Sequence, residues 1–188
     1  MKEGGWVAGA RRVLSPNCDS RPAGTGISLA VLHSISLPRG RYRKRGGSKD
    51  RDHAIERLFT NRLDPAAHAS FADLAGLRVS SHFLIYRDGE LVQFVPLAAR
   101  AWHAGASRWR GRERCNDFSV GIELEGVDDG EFAAAQYDAL ANLLARLRGL
   151  LPLREIAGHS DIAPGRKSDP GSRFDWPRLL GALAAARE

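Results

Sequence analysis

Between Phe118 and Gly126 the chain reads Phe-Ser-Val-Gly-Ile-Glu-Leu-Glu-Gly, a strict alternation of two kinds of side chain. A strand sends successive side chains to opposite faces. Val120, Ile122 and Leu124 therefore share one face, and Gly121, Glu123 and Glu125 share the other. Neighbouring acids on a strand face are costly to bury without partners. Either that face meets solvent, or the acids line a polar site. Gly121 beside Glu123 leaves room for a close approach to the backbone, which favours the site.

A second stretch carries more chemistry. Residues 158–171, Gly-His-Ser-Asp-Ile-Ala-Pro-Gly-Arg-Lys-Ser-Asp-Pro-Gly, hold one imidazole, two carboxylates and one amine among two prolines and three glycines. His159 and Asp169 can each offer a donor atom to a divalent metal such as zinc, and Lys167 brings a positive charge within reach. A catalytic zinc takes three protein ligands and leaves a position open, so a further ligand is needed from elsewhere. His33 interrupts the apolar run Ser28–Ser36, whose length and β-branched content predict a buried strand. It is either a hydrogen-bonded core histidine or a ligand emerging at the sheet edge. His33, His159 and Asp169 would complete a site, with Glu123 as base and Lys167 facing a developing oxyanion. Six histidines and many acids leave other triples open. Asp161 reads as a turn residue, Glu125 as a second strand acid and Cys115 as an inert thiol.

The remaining elements follow from local patterning. A short helix is expected at Ala54–Phe59 and another from about Ala67 to Leu74. Val79–Tyr86 and Glu90–Val95 form a hairpin across Arg87-Asp88-Gly89, with His82 packed within the sheet. Ala99–Asp117 reads as a long irregular segment, rich in arginine and containing Trp102, His103 and Trp109. These aromatics either meet a ligand or cover the edge of the core. An amphipathic helix runs from about Phe132 to Leu150, marked by Tyr137, Leu140, Leu143, Leu144 and Leu147. A short strand at Arg154–Gly158 follows. Asp175 caps a last helix with Leu179, Leu180 and Leu183 inward. The pattern predicts an α/β (α+β) single domain, a mixed central sheet flanked by helices. Residues 1–27 read as an arm laid on a domain spanning 28–188.

The 188-residue chain has a formal charge of +6. The segment 39–51 alone holds seven basic residues and one acid, so the basicity is local. Tyr42 is its single aromatic, and a solvated loop is the plain reading; no nucleic-acid partner is indicated. Two cysteines make no disulfide scaffold. With no apolar run of about 20 residues and no signal-like N-terminus, a cytoplasmic protein without membrane contact is expected, as a monomer.

Four stretches taken together, Val31–Ser36, Trp102–Gly105, Asn116–Gly126 and Gly158–Gly171, resemble the type 2 N-acetylmuramoyl-L-alanine amidases. Within that family the likeness is to the branch that cleaves 1,6-anhydro-N-acetylmuramoyl peptides in cell-wall recycling. The resemblance implies zinc (Zn2+) on His33, His159 and Asp169, water activation by Glu123 and carbonyl polarisation by Lys167. It implies peptide carboxylates bound by Arg78, Arg114 and Arg166, and a substrate groove beside Trp102 and His103. The implied fold is the mixed sheet shared with peptidoglycan-recognition proteins. Ser34 stands where close relatives often carry Asn, and the basic loop 39–51 is long for the branch. Two other readings share the pattern: an amidase of intact peptidoglycan, and a non-catalytic recognition module. Modules of that kind commonly lack a zinc ligand.

Overall fold

The computed structural model describes residues 4–43 and 53–185. In chain order the first elements are β1 (Arg11–Arg12), β2 (Cys18–Ser20), β3 (Leu29–Ile35), α1 (Ala54–Phe59), β4 (Phe83–Ile85), β5 (Leu91–Gln93) and β6 (Ala99–Ala101). They continue with β7 (Arg108–Trp109), β8 (Arg112–Glu113), β9 (Ser119–Glu125), α2 (Ala134–Leu150), β10 (Glu155–Gly158), α3 (His159–Ile162) and α4 (Trp176–Ala185). Six strands form one mixed sheet in the order β1-β5-β4-β9-β3-β10. β4, β9, β3 and β10 run parallel, while β5 returns antiparallel to β4 across the expected tight turn.

Alternation along the central strands separates two jobs. Ala30 and Leu32 of β3 join Val120, Ile122 and Leu124 of β9 in one core, against Leu140, Leu144 and Leu147 of α2 and Leu179 and Leu183 of α4. Leu29 and Val31 face the other way, packing with Phe118, Ala157 and Ile162. His33 and Glu123 continue that second face at the C-terminal ends of their strands. Ligand sites of open parallel sheets gather at such strand ends. All seven residues of β9 are buried, so the polar face of this strand is not an open surface. Glu125 is satisfied there by the backbone N–H groups of Arg43 (2.7 Å) and Arg87 (3.2 Å).

Gln136 ties α2 to the sheet. Its buried amide accepts from the Ala133 N–H (3.0 Å) and donates to the carbonyls of Ile85 and Glu125, each at 3.1 Å. A buried amide with all these groups paired fixes where the helix starts relative to the strand ends.

Several expectations are corrected. The second predicted helix is two 3-10 segments, Pro65–Ala67 and Ala69–Leu74, opened by the Asp64 side chain accepting from the Ala66 N–H. Ala99–Asp117 is not irregular: it holds β6, the β7–β8 ribbon and a 3-10 turn at Cys115–Phe118. The arm is partly woven in, since β1 adds the edge strand beside β5 and β2 pairs with β6. On α4, Leu179 and Leu183 are buried but Leu180 is 56% exposed, because it lies one residue off the stripe that meets α2. Lys44, Arg45, Lys49, Asp50 and Arg51 lie outside the described residues. Of the described basic residues there, Arg39 pairs with Asp128 and Asp129, and Arg43 pairs with Asp88 and Glu90 while covering the Tyr86 ring.

Glu56 of α1 staples the arm to the domain. Arg11 donates to both of its carboxylate oxygens (2.6 and 3.1 Å), and the Tyr86 hydroxyl donates at 2.7 Å. Burial alone would raise this carboxyl, but the hydrogen bonds from Arg11 and Tyr86 outweigh it and hold the group below its ordinary range. A depressed folded-state pKa adds stability above the unfolded value of about 4.3, and that contribution fades as pH falls through the folded value. Glu56→Gln is expected to cost about 1–3 kcal/mol at pH 7. In denaturant titrations the gap from wild type should narrow between pH 5 and pH 3. An unchanged gap at both values would refute the linkage.

Candidate active site

Strand register assembles the site. His33 stands opposite Glu123 across the parallel β3–β9 pair, and Gly158 of β10 stands opposite Leu32. The residue after Gly158 is His159, so both histidines leave adjacent strands side by side. The loop then returns, and the Ser160 N–H donates to the Asp169 carbonyl at 2.9 Å, which sets the Asp169 side chain beside them. Asp161 accepts from the Gly158 N–H at 2.7 Å, the turn role expected of it. His159 opens the one-turn helix α3, so this loop is more regular than its sequence suggests.

Nδ1 of His33 lies 3.0 Å from Nδ1 of His159, and both lie 3.1 Å from Oδ2 of Asp169. Among the described residues these three form the cluster whose donor atoms could share one metal ion. The donor chemistry fits such an ion. Nε2 of His159 faces the Ala104 carbonyl at 3.2 Å, and a carbonyl only accepts. The His159 proton therefore sits on Nε2, leaving Nδ1 a lone pair aimed at its neighbours. A tetrahedral ion with bonds of about 2.0–2.2 Å needs ligand atoms about 3.3 Å apart, close to the spacings here. Burial, partly offset by Asp169, pushes His33 down to about 4, which keeps it neutral as a ligand must be.

Glu123 has a different environment. It is 8% exposed, and its Oε2 is buried with no hydrogen-bond partner. Burial first, and the Asp169 charge second, push its carboxyl well above the ordinary value, while Lys167 acts in the opposite sense. Lys167 and Asp169 line an open cleft of about 390 Å³ together with Ser34, Ser36, Arg39 and Arg166. A buried carboxyl of raised pKa, a donor triad and a cation lining a cleft are the parts of a hydrolytic centre.

Residues 23–172 match the family of N-acetylmuramoyl-L-alanine amidases. The chain belongs to that family. It is 53% identical over 181 residues to the 1,6-anhydro-N-acetylmuramyl-L-alanine amidase AmpD of Escherichia coli (strain K12), covering 95% of this chain and 94% of that protein. Identity to the AmpD of Haemophilus influenzae is 42% over 184 residues, covering 96% of each. A crystal structure of a selenomethionine AmpD derivative is similar with a TM-score of 0.89 and 50% identity, over 97% of this chain and 99% of that one. The Escherichia coli amidase AmiD, solved with the substrate anhydro-N-acetylmuramic acid-L-Ala-D-gamma-Glu-L-Lys, is similar with a TM-score of 0.59 and 29% identity, over 85% of this chain and 59% of that one. The chain is thus an amidase, not a non-catalytic recognition module.

The amidase places the other expected residues unequally. Arg166 lines the cleft, but one nitrogen of its guanidinium donates to the carbonyls of Ala104 (2.7 Å) and Ala106 (2.6 Å). It thereby steadies the same Ala104 carbonyl that orients His159. Arg114 lines a second hollow with Arg108 and Ile162, and its guanidinium lies 3.3 Å from Asp117. Arg78 is exposed and borders neither hollow. Trp102 is half-buried, and its backbone N–H donates to the Ser80 hydroxyl at 3.1 Å. His103 packs against His33 and is not among the residues lining the cleft: the residue is 9% exposed and its Nδ1 lies 3.0 Å from His33 Nε2. The sequence offered one signal for this placement, the small residue Gly121 on β9.

Titrating the metal-stripped protein with a divalent transition ion should give one ion per chain. Asp169→Ala should weaken that binding by about 100-fold or more, beyond the usual cost of losing an outer-shell partner. Equal binding by the variant, read by calorimetry, would remove Asp169 from the ligand set.

Proposed function

We propose that this amidase is zinc-dependent and hydrolyses the amide between the lactyl group of N-acetylmuramic acid and L-alanine, on 1,6-anhydro-muramyl peptides released during cell-wall recycling. The proposal extends to cytoplasmic action. The chemistry is supported above all by the unpartnered, buried Oε2 of Glu123 beside the His33–His159–Asp169 cluster. A purely structural carboxyl so buried would be hydrogen-bonded. The choice of substrate is supported by the AmpD names of relatives aligned over nearly the whole chain, and by the anhydro-muramyl peptide named in the AmiD complex. Among the described residues no helix is long and apolar enough to cross a membrane.

Zinc on the triad would supply Lewis acidity, making water a competent nucleophile near neutral pH. Glu123, poised by burial to hold a proton at higher pH than an ordinary carboxylate, takes the proton as water attacks the amide carbon. Lys167, which lines the cleft, donates to the oxyanion of the tetrahedral intermediate. The C–N bond then breaks, and the Glu123 carboxyl returns its proton to the departing L-alanine nitrogen. The peptide leaves with a free amine and the muramyl lactyl group with a carboxylate, so one water is consumed.

Glu123→Ala should lower kcat by about 10²–10⁴ while zinc stays bound, and near-wild-type turnover would end this role. Lys167→Ala should lower kcat by about 10²–10³ with little change in metal content. Incubation with anhydro-muropeptides and, separately, with intact sacculi, followed by mass spectrometry, tests the substrate. Release of free peptide from the anhydro-muropeptides is expected. Cleavage confined to sacculi would overturn the recycling assignment in favour of an intact-wall amidase.

A further inference from the structure

Gly121 has no space for a side chain. A Cβ there would lie 2.5 Å from Cγ of His103, whose imidazole fills the gap above the β9 backbone. The His103 ring meets the His33 ring edge to face, with centroids 5.1 Å apart and planes at 87°. Both of its nitrogens are engaged. Nδ1 lies 3.0 Å from Nε2 of His33, and Nε2 lies 3.2 Å from Oγ of Ser119.

The direction of each hydrogen bond follows from the far end of this chain of contacts. The Ser119 hydroxyl donates its one hydrogen to the Cys115 carbonyl at 2.5 Å, which can only accept. Toward His103 the Ser119 oxygen therefore accepts, which places the His103 proton on Nε2. A neutral imidazole has one N–H, so Nδ1 of His103 is an acceptor and the His33 Nε2–H donates to it. His33 is left with a bare Nδ1 lone pair, on the side where His159 and Asp169 wait. Without the His103 acceptor, His33 could carry its proton on Nδ1 and give it to Asp169 Oδ2, 3.1 Å away. That hydrogen bond would occupy two of the three donor atoms, and a metal would have to displace the proton.

We infer that His103 is a positioning residue: with Ser119 and the Cys115 carbonyl it holds His33 in the one tautomer that presents Nδ1 to the metal. Gly121 is the residue that makes room for it. The inference rests on the metal reading of the triad. His103 lies outside the three-residue donor cluster, and its effect on that cluster runs through His33.

The test compares wild type with His103→Phe, which keeps a ring but loses the acceptor, and His103→Asn, whose amide oxygen falls near the Nδ1 position. Ser119→Ala serves as an independent variant if His103→Phe folds poorly by circular dichroism. Zinc affinity is read by competition with a chromophoric chelator, and imidazole tautomers by ¹⁵N NMR of the metal-free protein. His103→Phe should lose about 10- to 100-fold in zinc affinity. His103→Asn should recover most of that loss, and Ser119→Ala should fall between. In metal-free wild type the His33 proton should sit on Nε2, and in His103→Phe it should appear on Nδ1. Wild-type zinc affinity in His103→Phe, or a His33 Nδ1 proton in the wild type, overturns the inference. Failure of wild type itself to bind zinc would instead defeat the zinc reading, and the ¹⁵N spectra would still decide the tautomer.

Discussion

Three electron-pair donors within 3.1 Å of one another, with His159 protonated away from the cluster, repel each other, and this protein is built to hold them there. Nothing local to any one segment could do so. β3 and β10 must be neighbours and parallel, so that His33 and His159 leave the sheet together. The loop after α3 must return to give the Ser160–Asp169 backbone hydrogen bond. The loop at Ala104 must also stay in place, because its carbonyl sets the His159 tautomer and is itself held by Arg166. On the opposite face of the sheet, α2 and α4 supply the apolar burial that makes the strand ends rigid. The site and the core thus use alternate residues of the same two strands.

This division explains which parts of the fold could be read from the sequence. β9, β3 and α2 carry patterns long enough to declare themselves and lie where expected; the β4–β5 hairpin turns where Asp88-Gly89 predicts, but its paired strands, Phe83–Ile85 and Leu91–Gln93, are shorter than the runs 79–86 and 90–95. β1, β6, β7 and β8 span two or three residues, too few for any period; β1 and β6 exist through pairing with strands distant in sequence, and β7 and β8 through pairing with each other across a two-residue turn. Leu180 was misplaced because a helix stripe read from three leucines leaves its angular position loose by a residue. The acids of β9 show the gain from structure. The strand pattern left solvent and a polar site as alternatives, and full burial with Glu125 satisfied and Glu123 not satisfied separates them.

For the site, residue chemistry supplied candidates and could not select among them. His33 and Asp169 are 136 positions apart, and nothing in either segment points to the other. The choice of triple came from resemblance to a family, and the structure then brings those three side chains into one cluster. His103 was harder still. The resemblance implied a groove beside it and Trp102, and nothing in the sequence pointed to the contact its ring makes with His33. The room that Gly121 leaves is filled by a histidine of the same chain. A glycine on a functional strand can signal a supporting side chain as readily as a ligand.

The environment of Glu123 matters most for how the centre would run. A residue that must both take a proton from water and return one to an amine works best with a pKa near the operating pH. An ordinary glutamate, at about 4.3, would be a weak base and a poor source of the returning proton. Two causes raise Glu123: burial, which is the larger, and repulsion from Asp169. A divalent cation engaging Asp169 would cancel most of the second cause and add attraction of its own. Burial would remain, because it comes from β9 lying in the middle of the sheet between β4 and β3. On the role proposed for Glu123, the lasting control over its proton is therefore topological: the same central position that hides β9 from water holds its carboxyl above the ordinary range.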